Sequence, residues 1–90
     1  MGAAEIVAAV TTPLELDLGG GRSVLVSELR DLSDMLRVDL ALLQDGVALP
    51  FSGPWIVGNP PAHVRVDGET VHDPAAAFDE MIRTSRFFNG

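Results

Sequence analysis

The chain has 90 residues, 47% of them apolar, with no cysteine and a formal net charge of −7. Those values fit one small globular domain spanning 1–90 and exclude general disorder, disulfides, thiolate chemistry and cysteine–zinc sites. Thirteen acids stand against six arginines and no lysine, which disfavours nucleic acid and anionic membrane as partners. Arginine as the sole strong base, with many Ala, Gly and Val, suits a GC-rich, bacterial genome.

Residues 3–10 are an alanine-rich helix candidate with Ile6, Val7 and Val10 on one side. Thr11-Thr12-Pro13 ends it, and a helix this short must dock to persist. The opening MGAAEIVAAV lacks the basic region of a signal peptide, and Ile6 stands where a myristoylation signal needs Ser or Thr. Asp39 and the pair Gln44-Asp45 interrupt the longest apolar run, so no membrane span is predicted and a cytoplasmic location is expected.

Leu14-Glu15-Leu16-Asp17-Leu18 alternates with period two, as a strand does with its leucines inward. Gly19-Gly20-Gly21 turns into a second strand, Arg22 to Val26, giving a hairpin. The glycine loop precedes no helix and lacks the Lys-Ser/Thr of a phosphate loop, so a plain turn is preferred to an anion-binding nest beside Arg22. LELDLGGGRSVLVSELRDL resembles the opening of surface-presentation-of-antigens domains. That resemblance covers under a quarter of the chain. Asn59-Pro60-Pro61 and the C-terminal helix depart from that small all-β dimer, so its fold and function are not carried over.

Ser27 can cap a helix over 28–44, in which Leu29, Leu32, Leu36, Leu40 and Leu43 form one stripe and Gly46 ends the run. The competing reading is a hairpin, Val38–Gln44 with Val47–Phe51, joined by Asp45-Gly46. Leu and Ala favour helix and only Val38 is β-branched in the first strand, so the helix is preferred. Both readings leave a second apolar face. In the helix, Met35, Val38 and Leu42 lie opposite the stripe. In the hairpin, Leu40, Leu42, Leu49 and Phe51 share one face, and Ala41, Leu43, Ala48 and Pro50 the other. So small a chain has few elements to cover both; cover by another chain is preferred to cover by its own N-terminal helix, residues 3–10.

Trp55 follows Gly53-Pro54 into a short strand, where a plug closing one end of a sheet is weighed above a surface anchor. Asn59-Pro60-Pro61 is a rigid link. AHVRVDGETVH is the clearest hairpin: Asp67-Gly68 makes the turn, Val64, Val66 and Val71 face the core, and His63 lies opposite His72. Asp73 and Pro74 open a final helix reaching Arg86. The tail's Phe87-Phe88 pair is expected to dock, on its own sheet or on a neighbour.

His63, His72 and Asp73 are the one constellation with metal-binding character, a two-histidine, one-carboxylate set. Two solvated histidines beside a helix cap are the favoured reading. No serine sits in a nucleophile elbow, and Asp31, Asp34 and Asp39 read as surface charges. The expectation is an α+β single domain of β-hairpins in an antiparallel sheet, with a leucine-rich central helix and a C-terminal helix. Its expected role is a non-catalytic interaction or assembly module without cofactor, acting as a homo-oligomer or a small subunit of a complex. Met35, Val38, Leu42, Trp55, Phe87 and Phe88 are the predicted contacts, so Val38→Glu or Leu42→Glu would release a monomer. The alternative is a small metal- or ligand-binding protein using the histidine hairpin.

Overall fold

The alternation over residues 14–18 does form a strand, and it starts a meander. The computed structural model describes the backbone of residues 2–52 and 54–89, and the side chains of 2–50 and 54–88. Strands β1 (Leu14–Gly19), β2 (Arg22–Asp31), β3 (Met35–Gln44) and β4 (Val47–Ser52) pair in order, all antiparallel. Strand β5 (Trp55–Gly58) also pairs with β3. Strand β4 takes the last residues of β3 and β5 takes the first, so together they fill the fourth position of one sheet.

Residues 28–44 are therefore not a helix, which corrects the leucine-rich central helix. Leu36, Val38, Leu40 and Leu42 recur every two residues and are all buried, while their odd-numbered neighbours are not. The same leucines also fit a helical stripe, and cross-strand packing on two neighbours overrides their helix propensity. Two local devices complete the strands. Ser27 caps no helix; it is the extra residue of a bulge between Val26 and Glu28, its hydroxyl donating to the Asp39 carbonyl at 3.0 Å. At the β2–β3 turn, Ser33 adopts φ 74° and its N–H donates to the Asp31 carboxylate at 2.9 Å. The hairpin reading of 38–51 agrees with the structure at its turn: Asp45 and Gly46 both have positive φ, as a tight two-residue turn requires, and Leu43 pairs with Ala48. Farther along, the register shifts between Ala41 and Leu43, and Val38 pairs with Trp55 of β5.

One face of the sheet is roofed by helices. Helix α1 (Gly2–Ala9) buries Ala3 and Ile6; α2 (Pro74–Thr84) buries Ala77, Phe78 and Ile82; α3 (Arg86–Asn89) buries Phe88. Of these, Ala3, Ile6, Phe78, Ile82 and Phe88 form one core with Val24, Val26, Leu29, Leu36, Val38, Leu40 and Leu42 of the sheet. Helix α1 packs on both α2 and β2, which is how so short a helix persists. None of the helices among the described residues is long and apolar enough to cross a membrane.

Strands β6 (His63–Val66) and β7 (Glu69–His72) form a separate hairpin in the register read from the sequence, with His63 opposite His72. It leans on α2 through β6 and does not join the main sheet. Consequently Val64 is half-buried while Val66 and Val71 are exposed, which corrects their placement in the core.

Candidate interaction surface

The face of the sheet turned away from the helices is left uncovered by the described residues, and the strand register defines what it carries. Leu25 stands between Glu15 and Ala41; Arg30 and Arg37 are opposite one another, with Ile56 beyond Arg37. Glu28 is opposite Asp39, and alternation carries Leu32 beside Met35, whose carbonyl accepts from the Leu32 N–H at 2.9 Å. Leu25, Leu32, Met35 and Ile56 are 37–46% exposed, four of the eight large exposed hydrophobics among the described residues. Ala41 sits half-buried beside Leu25, and Leu43 half-buried beyond it toward the β3–β4 turn.

Charges divide this apolar surface. Along β2, Arg30 pairs with Glu28 at 3.3 Å; along β3, Arg37 donates to Asp39 at 3.2 Å. Across the strands, however, like faces like, acid opposite acid and arginine opposite arginine. Direct cross-strand like charges are unfavourable within a sheet. The two pairs along the strands offset this in part: the Arg30–Glu28 pair is exposed and weak, and the Arg37–Asp39 pair is part-buried.

Of the predicted contact residues, Met35 lies on this face. Val38 and Leu42 do not: both are buried beneath the helices, so in the folded protomer they are interior. The second cover that they need is supplied by the chain's own first and last helices. Trp55 is half-buried and meets Phe88 edge-on, ring centroids 5.0 Å apart at 82°, so it plugs one end of the core. Phe88 is fully buried; Phe87 is exposed, its ring 5.4 Å from that of Phe88. The tail thus docks on its own sheet through one phenylalanine. Leu32 and Ile56 escaped the sequence reading because their orientation depends on the bulge at Ser27 and on β5 pairing with β3, whereas Leu25 precedes the bulge and stands opposite Glu15.

His63 and His72 are paired across their hairpin and exposed. His72 Nε2 lies 3.1 Å from a Glu5 carboxylate oxygen on α1, an exposed pair worth no more than about 1 kcal/mol. The Asp73 carboxylate accepts from the Ala76 N–H at 3.1 Å and so caps α2. Among the described residues no group of three or more histidine or carboxylate side chains could hold a metal ion. Two surface depressions, one along Gly2, Asp34 and Asn59 and one along Glu15, Arg22 and Ser23, include neither histidine. Removing the cap by Asp73→Ala is expected to cost about 1 kcal/mol, read as a lower urea midpoint with an unchanged slope.

No family model matches the chain, and no curated protein or solved structure is significantly similar to it.

Proposed function

We propose that the chain is a non-catalytic protein–protein interaction or assembly module, and that the open face of its sheet is the surface it presents. The observation that supports this is the contrast between the two faces. One is sealed by three helices; the other gathers Leu25, Leu32, Met35 and Ile56 around two rows of charge. Apolar side chains gathered on one face, with methionine and arginine among them, have the character of an interface. The contact set is accordingly Leu25, Leu32, Met35 and Ile56, in place of Val38 and Leu42. The function works as a homo-oligomer or as a small subunit of a complex.

Ile56→Arg tests this reading. The side chain is exposed at the sheet's edge strand, so the variant should keep its far-UV spectrum and unfold within about 0.5 kcal/mol of the parent. A tagged variant isolated from the cells that make it should come without the copies or partners that accompany the parent. Unchanged assembly with Ile56→Arg, and likewise with Leu25→Arg, would remove the open face as the contact.

A further inference from the structure

We infer that the open face is built to receive a second copy of this chain, related by a two-fold axis running across the strands between the Glu28–Asp39 row and the Arg30–Arg37 row. This rests on the reading of the open face as the contact surface and names its occupant. The argument is one of register. On β3 the outward residues are Met35, Arg37, Asp39, Ala41 and Leu43, and the first four are spaced evenly about Val38. A two-fold axis above Val38 and Leu29 exchanges Arg37 with Asp39 and Met35 with Ala41. On β2 the same axis exchanges Arg30 with Glu28 and brings Leu32 toward Leu25.

Arg30 and Arg37 of one copy then face Glu28 and Asp39 of the other, and each exposed apolar side chain of β2 and β3 meets a small or apolar one. The arrangement also accounts for the like charges set opposite each other within the sheet. They are unfavourable in one protomer and become alternating in a pair. Two copies stacked this way make an aligned sandwich, with helices on both outer sides. Closed two-fold pairing is the form expected when one patch complements itself. Within it the charge rows set register and the apolar side chains supply attraction, because desolvated ion pairs discriminate between partners better than they add affinity.

Charge exchange tests the pairing. Arg30→Glu with Arg37→Glu makes both rows acidic, and Glu28→Arg with Asp39→Arg makes both basic. Light scattering is expected to give twice the chain mass for the parent, the single chain mass for each double variant, and twice the mass again for their equimolar mixture. Should both double variants keep twice the mass separately, the copies meet elsewhere, and the open-face reading falls as well. A parent that stays at single mass up to millimolar concentration overturns the second copy and leaves the face to a different protein.

If a charge variant fails to fold, engineered cysteines replace it, since the chain has none of its own. Met35 and Ala41 are six residues apart on one strand, about 20 Å. A short bis-maleimide should therefore join Met35→Cys chains to Ala41→Cys chains and leave Met35→Cys chains unjoined to each other. Equal yields in the two cases, or none in either, overturn the two-fold.

Discussion

Val38→Glu is expected to leave no folded protein, and so cannot yield the folded monomer that the sequence predicts. Val38 is completely buried, with Leu29 of β2 and Trp55 of β5 as its register partners. A carboxylate there has no partner. Held ionised it costs several kcal/mol; protonated, it still leaves a hydroxyl and a carbonyl unsatisfied, at about 1–3 kcal/mol. The valine's own burial, about 1.5–3 kcal/mol, is lost as well. At about 0.05–0.15 kcal/mol per residue, a domain of 90 residues has roughly 5–13 kcal/mol in total, and one this small belongs near the lower end. Far-UV circular dichroism and amide proton dispersion check this: a collapsed spectrum is expected. A native spectrum at single-chain mass would instead restore Val38 to the surface.

Phe78→Ala is expected to destabilise the domain by about 3–5 kcal/mol through the lost transfer energy and the cavity left behind. Phe78 is almost fully buried on α2 and belongs to the core formed with Ile6, Ile82 and the sheet. At about 4–8 °C per kcal/mol for a domain of this size, the melting midpoint should fall by more than about 12 °C. The adjacent tail supplies the control. Phe87→Ala should move the midpoint by only a few degrees, since that side chain is exposed. Comparable losses from both variants would mean that α2 does not hold the roof over the sheet.

The features readable from the sequence were those with local chemical signatures. Asp67-Gly68 gave a tight hairpin turn and Asp73-Pro74 gave the start of α2; Asp45-Gly46 forms such a turn too, where the preferred helix took Gly46 as its end. Leu14 to Leu18 alternated because one face of β1 packs on the core while the other meets solvent. Residues 28–44 were not readable in this way. Leu29, Leu32, Leu36, Leu40 and Leu43 satisfy a helical period, while Leu36, Val38, Leu40 and Leu42 satisfy a strand period. The bulge at Ser27 shifts the phase of β2, so that Leu29 turns inward after Val24 and Val26 with an odd spacing. The β2–β3 turn has no glycine or proline; Asp31 and Ser33 make it through a side-chain hydrogen bond.

The same ambiguity misplaced the contact residues. An excess of apolar residues in the middle third was legible, and so was the need for a second cover. Which residues the cover reaches depended on strand phase: the even-numbered residues of β3 go under the helices, and Met35, Ala41 and Leu43 remain outside. The rows of Glu28 with Asp39 and Arg30 with Arg37 exist only once β2 and β3 are in register.

Peroxide footprinting of Met35 asks most directly whether the open face is covered in the working protein. Thioether oxidation follows exposure, and half-buried Met81, packed against the core, serves as the internal reference. The expected result is a Met35 that oxidises readily in dilute purified chain and is protected in the native assembly, with Met81 unchanged between the two. Equal Met35 oxidation in both states would contradict the assignment of this face as the surface through which the protein acts.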